Sequence, residues 1–341
     1  MRALVLVAAA TLAASGSSRA DGVIVLRMAS AAPDGTSWAR EAKAFDRDVQ
    51  ALTHGAVKIK YYLGGITGNE LETNERIRRG QLDGIASSGM LCNRLAPSMR
   101  VLRVLGLFQS RDESAYVAGR LKQTLDEEFL KSGFVNLGEL GVGPDMFFSR
   151  APITSMAELR KARLWVWDLD EVYRLELDAI GLSTVPLPIE HSARAYDEHK
   201  LDGWVAVPTA ALAFQWSAQA RYVTDLRAGF LRGCMLIDTR TFDSLPVVAQ
   251  QALRTANAKL IARLEDLGRS MDQALLTNLF EKQGLHTVQV SRAFRAEFFD
   301  ATRAVRERLG DKLVPAALLQ RVLGMLADYR AEHANGASEQ R

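Results

Sequence analysis

The sequence predicts an α/β protein in which helices cover a largely parallel sheet. Three observations support this fold class. Strand-like and helix-like segments alternate along almost the whole chain, the pattern restarts near residue 134, and residues 246–283 contain almost no helix breaker. Such alternation calls for right-handed βαβ crossovers and a parallel sheet, whose ligands bind beyond the carboxyl ends of the strands.

The first twenty residues have the features of a secretory signal. Arg2 supplies the positive charge, residues 3–14 form an apolar core, and residues 18–20 read as a small-x-small cleavage site. The stretch is shorter than the roughly 20 apolar residues that a membrane span needs. We therefore expect residues 1–20 to be removed and the mature chain to be exported and soluble.

The charge of the chain argues against nucleic acid as a partner. Lys and Arg number 43 against 40 Asp and Glu, and removing Arg2 and Arg19 with the signal leaves 41, a net charge near +1. The sequence has no dense cluster of basic residues with interleaved aromatic residues. A mature chain of about 320 residues suggests two domains of ordinary size.

The first part of the chain reads as βαβαβ. VIVLRMAS (23–30) is a nearly continuous apolar run, typical of a strand covered on both faces. A helix over 37–52, a strand VKIKYYLGG (57–65), a helix over 70–79 and a strand LDGIASSG (82–89) follow. This order predicts the first group of parallel strands.

A second group of similar elements begins near residue 134. FVNLGELG and DMFFSR are extended, RLWVWD (163–168) is a strand, and a helix ends at Gly181. TVPLP, a short helix over 190–197 and LDGWVAV (201–207) complete the group. RRGQLDG (78–84) and DEHKLDG (197–203) resemble each other, so we interpret them as matching units of two similar lobes; chance recurrence of the tripeptide is the alternative.

The last third of the chain is mostly helical. A helix from Pro246 to about Gln283 would contain some 38 residues and span roughly 57 Å, enough to bridge two lobes. TVQVS (287–291) and two amphipathic helices follow. The final residues ANGASEQR should fray.

Two cysteines, Cys92 and Cys234, stand far apart in the sequence. They could form a disulfide in an oxidising compartment, but two isolated cysteines do not make a disulfide framework. The sequence favours two buried free thiols.

The sequence contains no recognisable catalytic or metal-binding motif. The five histidines are scattered without zinc-ligand spacing, and GxSxG, P-loop and GxGxxG patterns are absent. No pair of acidic residues is singled out for acid–base chemistry. We therefore expect a protein that is not an enzyme and needs no cofactor.

Aromatic residues concentrate near the predicted strand ends. In RLWVW, Trp165 and Trp167 share one face of the strand and Val166 takes the other. Each aromatic residue alone is more typical of a core. Their number at the loop ends of two lobes favours a ligand cleft between the lobes.

Several segments, in order and spacing, resemble a known family. They are HGAVKIKYYLGGITGNE (54–70), GQLDG (80–84), APSMRVLRVLGLF (96–108), APITSMAELRKARLWVW (151–167) and IGLSTVPLPIEHSARAYDEHKLDG (180–203). The chain is similar to the substrate-binding proteins of tripartite ATP-independent periplasmic (TRAP) transporters, of the DctP type. The resemblance covers nearly all of the mature chain.

The resemblance implies a type II periplasmic-binding-protein-like fold, with two α/β lobes around a ligand cleft and a long helix spanning both. We expect lobe I to contain residues 21–145 and about 230–265, lobe II 146–229 and about 266–332, and a flexible tail over 333–341. The resemblance also implies a periplasmic location and delivery of a small molecule to integral-membrane permease subunits. A periplasmic tetratricopeptide protein is a further possible partner.

The family holds organic acids with an arginine of the "K-i-R-v" strand, a second arginine and an asparagine. These positions carry Trp165, Asp145 and Ala206 in this chain. Tryptophan cannot form the bidentate pair that arginine forms with a carboxylate, and Asp145 would repel an acid. The sequence therefore predicts a neutral, substantially apolar ligand, or an amphiphile whose polar end reaches Asp145 or the cleft mouth. The candidate ligand-binding residues are Trp38, Ser88, Met90, Asp145, Phe147, Trp165, Trp167, Ala206, Pro208 and Phe214.

Three alternatives stay open at this point. The chain could be a periplasmic sensor module that presents its ligand to a protein other than a permease. It could bind organic acids through a rearranged anchor. An enzyme on the same fold is disfavoured because no nucleophile–base pair or metal set is visible.

Overall fold

The computed structural model describes residues 22–274 and 280–338. The predicted signal, residues 1–20, lies outside the described residues. The strands are β1 Ile24–Ser30, β2 Val57–Tyr62, β3 Gly84–Ser87, β4 Phe134–Ser149, β5 Arg163–Trp167, β6 Ser183–Leu187, β7 Gly203–Ala206, β8 Tyr222–Asp238 and β9 His286–Val288.

Helices connect and cover these strands. They are α1 Ser37–Leu52, α2 Glu70–Arg78, α3 Met90–Leu95, α4 Arg111–Lys131, α5 Met156–Lys161, α6 Glu171–Ala179, α7 Ile189–Asp197, α8 Pro208–Ala213, α9 Trp216–Gln219, α10 Thr239–Ser244, α11 Val247–Ala274, α12 Phe280–Lys282, α13 Arg292–Leu309 and α14 Ala316–Ser338. Two 3-10 helices cover Pro97–Arg103 and Gly310–Lys312.

One sheet runs through the molecule in the order β2-β1-β3-β8-β4-β7-β5-β6, with β9 added beside β8. β1 pairs in parallel with β2 and β3, and β5 pairs in parallel with β6 and β7. The long strand β8 pairs antiparallel with β3, and the long strand β4 pairs antiparallel with β7. The two long strands also pair antiparallel with each other. The sheet therefore has two halves. Read from the outer edge inwards, the first half is β2-β1-β3 and the second half is β6-β5-β7, and the shared strands β8 and β4 join them. The predicted α/β fold with two similar parallel groups is confirmed.

Matching contacts support the interpretation of the two Leu-Asp-Gly segments as equivalent units. Asp83 accepts hydrogen bonds from Nε and Nη2 of Arg27 at 2.8 and 2.9 Å. Asp202 accepts the same pair from Arg163 at 3.0 and 2.8 Å. The backbone N–H of each arginine donates to the same carboxylate, at 2.7 and 2.9 Å. Each aspartate thus joins its loop to the neighbouring parallel strand, β1 or β5.

The glycine after each of these aspartates allows a close approach of strands. A Cβ on Gly84 would overlap the carbonyl oxygen of Leu236 in β8, and a Cβ on Gly203 would overlap that of Phe148 in β4. A side chain at either position would push the long strand away. Glycine is therefore required where each parallel half joins the shared strands.

The long strands are irregular where the halves meet. The pairing of β4 with β8 shifts register between Asn136 and Gly138, between Gly141 and Gly143, and between Asp145 and Phe147. Bulges of this kind bend a strand and increase its twist. The extended conformation predicted for FVNLGELG and DMFFSR is confirmed, since β4 covers both segments up to Ser149. The shifts re-aim the side chains that face the space between the halves.

Helix α11 contacts both halves of the molecule. It packs on α1 and β4, and also touches α8. Arg263 of α11 binds Glu41 and Asp48 of α1 through Nε and Nη1, at 2.6 and 2.8 Å. The prediction of a long bridging helix is confirmed for residues 247–274, whereas residues 275–279 of the predicted helix lie outside the described residues.

The apolar core lies on both faces of the sheet. In the first half, one face packs against α1 and α11, and the other packs against α3, α4 and α14. In the second half, one face packs against α5, α6 and α13, and the other against α7, α8 and α9. The helices cover the faces of the sheet, so the carboxyl ends of the parallel strands border the space between the two halves.

The two cysteines form a disulfide, so the prediction of free thiols is wrong. Cys92 and Cys234 are both buried, as predicted, with Cα atoms 6.1 Å apart. Cys234 pairs with Ser87 in the β3–β8 ladder, and α3 begins three residues after Ser87. The ladder and the first turn of α3 bring together two residues separated by 142 positions.

The C-terminal helix extends further than predicted. Residues 333–338 continue α14 to Ser338, and residues 339–341 lie outside the described residues. Among the described helices, none is long and apolar enough to cross a membrane. The residue boundaries proposed for the two lobes stay predictions.

Candidate functional site

A cavity of about 160 Å³ lies where the two halves of the sheet meet. Its walls include the carboxyl ends of four parallel strands, at residues 30–32, 86–88, 165–167 and 205–207. Residues of the long strands and of α11 close it from the other sides. The volume is similar to that of an apolar cavity of ~150 Å³ that holds benzene. The predicted position of a ligand site, beyond the strand ends and between two lobes, is the position of this cavity.

Eight of the ten candidate residues line the cavity: Trp38, Ser88, Met90, Asp145, Trp165, Trp167, Ala206 and Phe214. Phe147 and Pro208 do not. Phe147 is fully buried in the core beside α13, where its ring makes an edge contact with Phe298 at 6.1 Å. Pro208 begins α8, and its neighbours Val207 and Ala210 face the cavity instead.

Trp165 presents a ring and no free donor. Its Nε1–H donates to the carbonyl oxygen of Leu187 at 2.8 Å, and its ring lies 4.8 Å from that of Trp216. Trp216 in turn stacks on Phe214 at 5.1 Å. Because its one N–H is already used, Trp165 offers a ligand apolar contact at the position where the family is expected to place an arginine.

The 87–91 segment is held by one buried carboxylate. Glu70, the first residue of α2, accepts hydrogen bonds from Ser87 Oγ at 2.6 Å and from the backbone N–H of Leu91 at 2.7 Å. It also accepts from both N–H and Oγ of Ser88, at 2.7 and 2.6 Å. The position of Ser88 and Met90 in the cavity wall is therefore fixed by Glu70 and by the adjacent disulfide. Since the Ser88 hydroxyl donates to Glu70, it can only accept a hydrogen bond from a ligand.

Three charged side chains form a compact group in the cavity wall. Arg103 donates to both oxygens of Asp145, with Nη2–Oδ1 at 3.3 Å and the Nη1–Oδ2 contact shorter. Its Nε and Nη2 lie 2.8 and 2.7 Å from Oδ2 of Asp170. Two carboxylates thus surround the one guanidinium that lines the cavity among the described residues.

Tyr173 completes this group. The guanidinium of Arg103 lies over its ring at 3.7 Å. The Tyr173 hydroxyl is buried and has no hydrogen-bond partner among the described residues. Burial raises the pKa of Tyr173 well above its ordinary value, and burial also raises the pKa of Asp145 against the attraction of Arg103. This part of the wall consequently disfavours additional negative charge.

Sequence reasoning missed the Arg103 group. Arg103, Asp170 and Tyr173 belong to a 3-10 helix, the residue before α6 and α6 itself, and no local pattern connects these segments. Arg103 lies within APSMRVLRVLGLF (96–108). An arginine in this largely apolar run was the feature of the sequence that could have indicated a buried ion pair. The described residues contain no group of His, Cys, Asp and Glu side chains suited to a metal ion.

Comparison with known proteins assigns the chain to a family. Residues 28–312 match the DctP family, described as bacterial extracellular solute-binding protein family 7. The chain belongs to this family. The DctP family consists of solute receptors and not of enzymes, so the expected resemblance and the absence of catalysis are confirmed.

The chain is also similar to proteins of known sequence or structure at low sequence identity. The uncharacterized protein YiiZ of Salmonella typhimurium is 24% identical over 283 residues, which cover 82% of each chain. A TRAP periplasmic solute-binding protein of Desulfovibrio desulfuricans, solved with sn-glycerol-3-phosphate, has a TM-score of 0.82 at 19% identity, covering 90% of this chain and 97% of its own. At this identity the structural likeness shows the fold alone.

Two further solved structures have the same fold. A Bordetella pertussis extracytoplasmic solute receptor binding pyroglutamic acid has a TM-score of 0.81 at 19% identity, with 89% of this chain and 100% of its own covered. A Desulfovibrio salexigens TRAP solute-binding protein with orotic acid has a TM-score of 0.79 at 18% identity, with 89% and 99% covered. This DctP-family chain thus has the type II periplasmic-binding-protein-like architecture that the family resemblance implies.

Proposed function

We propose that this DctP-family protein is a periplasmic receptor that encloses a small neutral or hydrophobic ligand and delivers it to a TRAP-type permease. The observation that carries the ligand class is the cavity wall. Four of the five tryptophans of the chain line it, at positions 38, 165, 167 and 216. Delivery to permease subunits and export by the N-terminal signal rest on family membership and on the sequence, and the tetratricopeptide partner rests on the resemblance alone.

Electrostatics argue against an acid in this cavity. A carboxylate ligand would have to approach Arg103 past Asp145 and Asp170, which already accept most of its N–H groups. Desolvating an anion without a committed partner costs several kcal/mol, by order of magnitude. The solved relatives that hold glycerol phosphate, pyroglutamic acid or orotic acid therefore do not predict the ligand of this chain.

Arg103 favours a second candidate, an organic-acid receptor with a rearranged anchor. A guanidinium in the cavity wall could turn towards a carboxylate if one aspartate became protonated.

One experiment distinguishes the two candidates. Native mass spectrometry and solvent extraction of the purified protein should release a neutral or apolar compound, and calorimetry should show no binding of glycerol phosphate, pyroglutamate or orotate to the ligand-free protein. A co-purified acid, or micromolar binding of any of these acids, would establish the second candidate instead.

A further inference from the structure

The group formed by Arg103, Asp145, Asp170 and Tyr173, here named the polar patch, has more hydrogen-bonding capacity than its members use. Each of the four lines the cavity, and each side chain is at least nine-tenths buried. Two carboxylates carry four oxygen atoms with about two lone pairs each, and one guanidinium cannot saturate them. The patch can therefore accept further hydrogen bonds from a molecule in the cavity.

The patch also has a donor without a partner. The Tyr173 hydroxyl makes no hydrogen bond with any described residue. The hydroxyl and Oδ2 of Asp145 both border Gly229, since a Cβ on this glycine would lie 3.7 Å from the hydroxyl and 3.3 Å from Oδ2. An unpaired buried donor is rare because leaving it unsatisfied costs free energy, and a ligand atom is one way to satisfy it.

We propose that the ligand carries a hydroxyl group that the polar patch binds, while its apolar body contacts the tryptophans. This inference rests on the proposed function and names the head group of that ligand. A hydroxyl donates one hydrogen bond, to Asp145 or Asp170, and accepts one, from Tyr173. An ether can only accept, and a carboxylate would add a third negative charge.

A protonated amine matches the patch less well than a hydroxyl. It can donate to a carboxylate, but it has no lone pair to accept the Tyr173 proton. The Arg103 guanidinium already lies between the two carboxylates and would repel a second cation beside it. The wall around the patch is otherwise dominated by apolar and aromatic side chains, in which a neutral head group is the least costly to bury.

A series of compounds with one apolar body and different head groups tests the proposal. The protein is unfolded in guanidinium chloride with its disulfide intact, refolded without ligand, and titrated by calorimetry with 2-phenylethanol, its methyl ether, 2-phenylethylamine, phenylacetate and ethylbenzene. We expect 2-phenylethanol to bind about tenfold more tightly than the ether or ethylbenzene, because a hydrogen bond to a charged group is lost in both.

The outcomes separate this inference from the proposed function. If ethylbenzene or the ether binds as tightly as 2-phenylethanol, the hydroxyl head group is overturned, but an apolar ligand is still supported. The same conclusion follows if the amine binds most tightly. Tightest binding of phenylacetate overturns both. Binding of none of the five compounds counts against the proposal as well.

A conservative variant provides a second measurement. Tyr173→Phe removes only the unpaired hydroxyl, so the fold should persist, and the affinity for 2-phenylethanol and its ether should fall about fivefold while that for ethylbenzene stays the same. Tyr116→Phe is the matched control, since Tyr116 packs against Tyr329 and does not line the cavity. Unchanged affinity for 2-phenylethanol in Tyr173→Phe would show that the hydroxyl does not contact the ligand.

Discussion

Trp165 occupies the position at which the family is expected to hold an organic acid with an arginine. Its ring packs on Trp216 and its N–H is committed to Leu187, so it cannot replace an arginine as a donor. We predict that Trp165→Arg lowers the affinity for the native ligand by at least tenfold, because an aromatic contact is lost and a charge is buried in an apolar wall. Calorimetry with the ligand extracted from the purified protein measures the change.

The control for this variant is Phe129→Leu. Phe129 of α4 is buried in the core of the first half and does not line the cavity. The control should lose stability without losing affinity. Full affinity in Trp165→Arg would mean that Trp165 does not contact the ligand.

Glu176 makes stability depend on pH. It is buried, and burial raises its pKa to about 8, although the backbone N–H of Leu105 donates to both of its oxygens at 3.1 Å. An unfolded glutamate titrates near pH ~4.3, so between about pH 4.3 and 8 the folded state holds a proton that the unfolded state has released. The free energy of unfolding therefore falls as the pH rises through this range.

Glu176→Gln should remove this contribution. We expect the variant to gain stability relative to the wild type as the pH is raised from 5.5 to 8.5, in urea unfolding followed by circular dichroism. Glu75→Gln, at an exposed position of α2, is the control and should follow the wild type. A constant difference between Glu176→Gln and the wild type across the range would contradict the prediction.

Eight of the residues that line the cavity were predicted, and the residues missed in its charged group have a common cause. Trp38, Trp165 and Ala206 follow from strand ends and family positions, which the sequence displays locally. Arg103 and Asp170 could not be predicted, because a buried ion pair depends on the close packing of distant segments. A charged residue in an apolar run indicates such a pair but does not identify its partner.

At the scale of elements, the disulfide joins the wall of the cavity to a shared strand. Cys92 lies in α3, two residues after Met90, and Cys234 lies in β8. We predict that replacing both cysteines by alanine lowers the free energy of unfolding by about 2–5 kcal/mol, since the bond closes a long loop in the unfolded chain. Urea unfolding of the variant and the wild type measures the loss.

The effect of this variant on binding is a separate expectation. The Glu70 hydrogen bonds should hold Ser88 in place without the disulfide, so affinity should fall less than stability. The wild type treated with a reductant in mild urea should reproduce the variant. A stability equal to that of the untreated wild type would show that the bond does not constrain the fold.

The boundaries of most elements were predictable, but their distant pairings were not. The strands at 57–62 and 163–167 and the helix from residue 247 have clear patterns of apolar residues, proline and glycine. The cysteine prediction failed because nothing in the sequence shows that β3 pairs with β8 across about 150 residues. Pairing between distant strands is set by the packing of the whole sheet, which a local pattern does not contain.

At the scale of the whole molecule, the two halves repeat one arrangement with different burial. The Asp83 side chain is 11% exposed in its contact with Arg27, whereas Asp202 is 33% exposed in its contact with Arg163. We predict that Asp83→Asn costs about 1.5–3 kcal/mol of unfolding free energy. Asp202→Asn should cost less than about 1 kcal/mol because solvent screens its ion pair.

Each variant is the control for the other, because the same bonds are removed in the same geometry. Urea unfolding at pH 7 measures both. Equal losses would indicate that burial does not determine the strength of the Arg–Asp contact in this fold.

The two shared strands have a consequence for any attempt to divide the protein. The first half contains strands from residues 24–87 but borrows parts of β4 and β8, and the second half borrows the remaining parts. A fragment that ends after β4 would leave the edge of β3 without its partner β8, and an unpaired edge promotes aggregation. Neither half can therefore be expressed as a truncated domain, and two separately produced fragments should fold only when they are mixed and complement each other.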